Sequence, residues 1–236
     1  WKIDIIAKRI IAWISNSKLT YDDSGPAYKN KFNSAIKKQI NHLISEIEKD
    51  EWIDDKMIGC AAIILAGLSF QDKNIYLNSG LNLLKKIIKF SFDNNGFPKS
   101  RNIRQMNFYL KYFVLIREWL KESQNEIPEY IDENIFYLGQ AYAFIWQKNK
   151  KDFLFNGNHE TNNIDFDHYL KKLGYTFNYQ NNELGGYAVL NNKKLAIAMD
   201  IGSSPDKKFS SDYQAGSLSF EIISSGKKLI CNSGYF

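Results

Sequence analysis

The chain closes on Ser217–Phe236, SLSFEIISSGKKLICNSGYF. Leu218, Phe220 and Ile222 alternate there with Ser219 and Glu221, Ser224-Ser225-Gly226 interrupts, and Lys228–Cys231 resumes a strand pattern before Asn232-Ser233-Gly234. A period of two sends alternate side chains to opposite faces, and a glycine-containing break between two such runs predicts a β-hairpin with one face on a core. Just upstream, Gly186–Leu190 and Lys194–Asp200 flank an Asn191-Asn192 pair suited to a tight turn, so a second hairpin is expected.

Further back the period changes. Tyr28, Phe32, Ile36, Ile40, Leu43, Ile44 and Ile47 recur at spacings of three and four, with Lys and Glu between them, after a Gly25-Pro26 helix start. Similar patterns predict helices over Ile3–Ser15, Met57–Phe70, Ile75–Phe92, Met106–Leu120 and Ile131–Trp146, with a short one at Phe166–Leu173. Met57–Phe70 is apolar on all sides, too short for a bilayer and preceded by Asp54 and Asp55, so a buried helix is expected. The segment between Lys148 and Gly186 is rich in Asn. Helices first and antiparallel strands second make a segregated α+β chain, with a boundary near residue 155 between a helical domain (1–155) and a linker with strands (156–236).

Composition narrows function only a little. The 236 residues are 44% hydrophobic and 24% charged, ordinary for a globular protein. The net charge of +5 sits in residues 1–150, with 22 Lys+Arg against 17 Asp+Glu, while residues 151–236 carry 9 of each. That surplus suits an acidic polymer but is far below the dense patches of nucleic-acid binders. Cys60 and Cys231 have neither metal nor redox spacing. The chain starts at Trp1 and stops abruptly after Phe236, as expected of a piece of a longer protein.

Several short blocks resemble the heparinase II/III-like family. The hairpin LSFEI…SGKKLICNSG resembles that family's C-terminal signature. Gly186-Tyr187 and Asp200-Ile201-Gly202 are similar to its first sandwich strands, and Phe155-Asn156-Gly157 to the segment closing its toroid. Ile10–Ile14, Leu65–Leu68 and Gly96–Asn102 resemble helical blocks. The resemblance implies an incomplete (α/α) toroid of antiparallel helical hairpins, then the opening strands of an antiparallel β-sandwich. It also implies eliminative cleavage of an acidic, uronate-containing polysaccharide in the periplasm or cell envelope, a cytoplasmic location being the alternative. Neither a nucleic-acid partner nor a membrane span is expected.

Such β-elimination needs a group that neutralises the uronate carboxylate, a base for the proton beside it, and an acid for the leaving oxygen. Carried over by position, the resemblance points to Arg101 and Asn102 as neutralising groups and to Tyr213 or Tyr109 as proton movers. Ser100 and Gln214 are the accompanying substrate contacts, and His159, a loop histidine with polar neighbours outside every family block, is a further one. Simpler readings stand beside these: Ser100 or Asn102 as a helix cap, Tyr109 as core, Tyr213 as a packing residue, and His159 as a surface loop residue. The family's Asn-His pair falls near Asp54-Asp55, its toroid His-Tyr block on Phe97–Arg104, and its sandwich His-x-Asp turn on Gln214–Gly216. Asn232 stands where some members carry an acidic zinc ligand, so no metal or other cofactor is expected. The missing histidines leave two alternatives, a glycan-binding or cell-envelope protein of the same fold without the chemistry, and a helical interaction scaffold.

Overall fold

A computed structural model of the protein describes residues 2–70, 74–147, 151–156, 163–213, 216 and 218–232. Contacts divide the chain into two compact units, Trp1–Phe90 with Val114–Ile127, and Ser91–Phe113 with Pro128–Phe236.

The first unit is helical. Helix α1 (Ile3–Ser15), short α2 (Ser17–Thr20), α3 (Pro26–Glu46), α4 (Ile53–Ser69) and most of α5 (Asn74–Ser91) belong to it, with the second half of α6 (Ile103–Glu122). Pro26 opens α3, where a missing N–H costs nothing. Helix α1 packs on α4 and on α3, burying Ile3, Ile6, Ala7 and Ile10 along one stripe. Every residue of α4 from Met57 to Gly67 is buried, which explains its apolar surface all round. Helices α4 and α5 approach closely at a glycine: a Cβ on Gly67 would lie 2.6 Å from the Leu77 backbone nitrogen. Among the described residues no helix is long and apolar enough to cross a membrane.

The second unit combines a loop, helices and a sheet. It holds residues 91–102, the first half of α6, α7 (Glu129–Tyr142) with a π-helical turn at Ala143–Gln147, and α8 (Ile164–Lys172). Strands β1 (Glu183–Leu184), β2 (Tyr187–Asn191), β3 (Leu195–Asp200), β4 (Phe220–Ser224) and β5 (Lys227–Ile230) form one antiparallel meander in sequence order. The β4–β5 turn places Ser225 at φ 49° and Gly226 at φ 76°, the two positive values that a tight two-residue hairpin turn requires.

Both hairpins lie where alternation puts them, and the register explains which face is buried. Tyr187 pairs with Asp200, Val189 with Ala198, Ala198 with Glu221 and Ala196 with Ile223, all on the buried face. Two carboxylates are therefore interior. Phe220 and Leu218, apolar in the alternation, lie on the exposed side at 42% and 69% exposure. Glu221 is held inside because its Oε1 accepts from the backbone N–H groups of Leu154 and Asn232, each at 2.9 Å. Those fixed donors on Oε1, with the Lys228 ammonium 3.9 Å from Oε2, outweigh the alternation, since donors and an opposite charge offset the burial of a carboxylate. The short strand β1 falls in the Asn-rich stretch, where two residues carry no period at all.

Candidate functional site

Residues 91–102 make a tight loop before α6. Asp93 Oδ1 accepts from the N–H groups of Asn95 and Phe97 at 2.9 Å each, and Lys99 N–H donates to the Ser91 carbonyl at 2.8 Å. Ser100 Oγ donates to Gln105 Oε1 at 2.5 Å and accepts from Asn102 N–H at 3.2 Å. Asn102 Oδ1 accepts from Arg104 N–H at 2.9 Å, the N-cap geometry for a helix that begins at Ile103. Both Ser100 and Asn102 are buried.

Between them stands Arg101, with φ 57°, a left-handed backbone uncommon outside glycine. Its side chain runs into the sheet and is only 10% exposed. Nε donates to the Gly185 carbonyl at 3.2 Å, one Nη to the Ser203 carbonyl at 2.7 Å, and the other to the Gly186 carbonyl at 2.9 Å and to Asp200 Oδ1 at 2.5 Å. Gly186 and Gly202 border the guanidinium: a Cβ on either would stand within 2.7 Å of it. Only residues without side chains allow that approach.

Asp200, fully buried, also accepts from Asn156 Nδ2 at 3.1 Å and from Gly202 N–H at 3.2 Å. Asn156 Nδ2 donates to Tyr187 Oη as well, and the Tyr187 hydroxyl donates to the Arg101 carbonyl at 2.5 Å. Burial pushes the Tyr187 phenol above its ordinary range, with the Arg101 charge opposing. The phenol therefore stays a neutral donor. One closed polar network thus joins the loop, residue 156 and strands β2 and β3.

The other expected residues are distributed as follows. The Tyr109 ring is 1% exposed and meets Phe92 edge-on at 4.9 Å, inside the core. Tyr213 lies with its ring centroid 5.6 Å from Arg101 Cζ, and its hydroxyl is buried with no hydrogen-bond partner among the described residues. Gln214 and His159 fall outside the described residues. The structure thus brings Arg101 and Tyr213 together and sends Tyr109 into a hydrophobic cluster. Asp200, Asn156 and Tyr187 complete the network without a sequence signal of their own beyond lying in blocks similar to the family.

Beside this clamp of Arg101 on Asp200 is an open groove of about 410 Å³ lined by Asp93, Asn95, Lys99, Arg101, Ser203 and Asp206 among others. Among the described residues that line it, Lys99 and the paired Arg101 are the cations, and they share the groove with Asp93 and Asp206. Asn232, at the position of the expected acidic ligand, turns its amide to Glu221 Oε1 at 3.3 Å as a donor.

Comparison with known proteins agrees with this architecture. Residues 178–236 match the family described as Heparinase II/III-like, C-terminal. The chain superposes on a crystal structure of heparinase III with a TM-score of 0.79 at 15% identity, covering 100% of this chain and 43% of that one. It superposes on heparan sulfate lyase HepC from Pedobacter heparinus with a TM-score of 0.71 at 14% identity, covering 99% of this chain and 41% of that one. The chain spans about two fifths of the solved structures it matches. No curated protein matches the sequence. The last strands thus carry the Heparinase II/III-like, C-terminal pattern, and the chain along its length has the fold of the heparinase III structures.

Proposed function

We propose that the complete protein is a polysaccharide lyase that cleaves an acidic, uronate-containing polymer by β-elimination in the periplasm or cell envelope. The observation that carries this reading is the agreement of nearly the whole backbone with heparinase and heparan sulfate lyase structures, together with the family match over residues 178–236. In the reaction the proton beside the carboxylate is removed, its electron pair becomes the new C=C bond, and the glycosidic C–O bond breaks as the leaving oxygen takes a proton.

We assign the proton transfer to Tyr213, whose ring centroid stands 5.6 Å from Arg101 Cζ and whose hydroxyl has no hydrogen-bond partner among the described residues. Arg101 acts here as a positioning residue, since four hydrogen bonds already occupy its guanidinium. Asn102 caps its helix, and Tyr109 supports the same loop from the core. Tyr213→Phe in the full-length protein is expected to lower turnover about a hundredfold or more with substrate affinity kept, the usual size of a lost proton-transfer group.

A second reading, binding without turnover, has its own support: the groove's cations are one lysine and one arginine already paired to Asp200. Full-length protein incubated with heparan, chondroitin, hyaluronan and alginate polymers distinguishes them. The lyase reading expects rising ultraviolet absorbance from the unsaturated product. Affinity for one of these polymers with a flat absorbance trace selects the binding protein instead.

A further inference from the structure

A second concavity lies within the helical unit. It holds about 490 Å³ and is lined by the end of α1, residues Tyr21 and Asp22, the face of α3 carrying Phe32 and Asn33, and the end of α4 at Ser69 and Phe70. This volume is within the range of small-ligand sites. The family's Asn-His position falls at Asp54-Asp55, the opposite end of α4, roughly 24 Å away at 1.5 Å per residue.

Its chemistry is specific. Asn33 Nδ2 donates to Tyr21 Oη at 3.0 Å, so the phenol oxygen is an acceptor toward the protein and its proton is left to donate elsewhere. Lys29 Nζ donates to the Asp22 carbonyl at 2.9 Å and stands 5.3 Å from the Tyr21 ring centroid. Phe32 fixes the wall, with its ring centroid 5.2 Å from Tyr21 and 6.0 Å from Trp13. Asp22 is the charged side chain of the lining, and the Lys29 ammonium stands beside it.

An apolar wall, a directed phenol proton, an amide oxygen, a carboxylate and a nearby ammonium are the groups that grip a sugar ring by face and hydroxyls while attracting an anionic substituent. We propose that this pocket is a second saccharide-binding site, taking one sugar residue of an acidic polysaccharide. Tyr21, Asn33 and Asp22 read its hydroxyls, and Lys29 reads its carboxylate or sulfate. The inference rests on the proposed acidic-polysaccharide reading and assigns it a contact separate from the groove of the other unit.

The test is calorimetric titration of the full-length protein, in the Tyr213→Phe background to suppress turnover, with hexasaccharides of hyaluronan, heparan sulfate and alginate and with neutral cellohexaose. Tyr21→Phe keeps the ring packing and removes only the donor; it and Asn33→Ala are each expected to weaken acidic-hexasaccharide binding about tenfold, the scale of one lost hydrogen bond, with thermal midpoints unchanged. Lys29→Gln is expected to weaken the acidic ligands and leave the neutral one unaffected. Unaltered affinity in Tyr21→Phe and Asn33→Ala, with the parent still binding, overturns the pocket and leaves the polysaccharide reading standing. A parent that binds none of the acidic hexasaccharides overturns both, and equal binding of cellohexaose overturns the anionic specificity.

Discussion

Removing the Arg101 side chain leaves Asp200 a buried carboxylate opposed, among the described residues, by an amide and a backbone N–H. Breaking a buried pair from one side is far costlier than replacing both partners. Arg101→Ala is therefore expected to cost about 3–5 kcal/mol in urea denaturation, and Arg101→Met with Asp200→Leu clearly less than Arg101→Ala alone. Equal losses would show that the pair is not what holds the loop. The exposed end of the electrostatic scale is Asp4 with Lys8 on α1, at 2.9 Å. Its hydrogen bond to Lys8 holds the Asp4 carboxyl below its ordinary value of 3.8. A depressed folded value stabilises above the unfolded one and is lost as pH falls through it. Asp4→Asn is accordingly expected to cost about 0.3–0.5 kcal/mol at neutral pH and nothing at strongly acid pH, read from denaturation midpoints across that range.

At the scale of elements, packing sets limits that periodicity only partly reveals. Gly67→Ala would drive a Cβ against the Leu77 backbone rather than against a movable side chain. It is expected to destabilise by about 1–3 kcal/mol, although alanine is the better helix former; a stabilised variant in thermal unfolding would mean that α4 and α5 do not pack this closely. Most helices were legible because their apolar residues recur every three or four positions: α1 is Ile3–Ser15 as read, and α3 to α7 differ from their expected ranges mainly at the ends. Ends are harder to read because caps decide them; α6 begins at Ile103 because Asn102 caps it, ahead of the first strongly apolar run. The π turn after Tyr142 leaves no mark in the pattern, and neither does the interior position of Glu221, which depends on N–H groups contributed by residues 154 and 232.

For the whole molecule, the order of helices and hairpins was readable, whereas the clamp that organises the sheet unit was not. Blocks similar to the family, Gly96–Asn102, Phe155-Asn156, Gly186-Tyr187 and Asp200–Gly202, converge on the Arg101–Asp200 pair, whose two members lie 99 positions apart in the chain. Residue type alone marks an arginine among polar neighbours as a ligand for an anion; only the fold shows that Asp200 is the anion it holds. These blocks serve structure first, so the chain keeps the fold of the heparinase III structures without histidines at the expected positions. The reaction itself is tested most directly by mass spectrometry of the oligosaccharides released from a uronate polymer by the full-length protein. Products lighter by one water than their hydrolytic counterparts, carrying a new C=C bond at the non-reducing end, are predicted; hydrolytic masses, or polymer of unchanged length, would contradict eliminative cleavage.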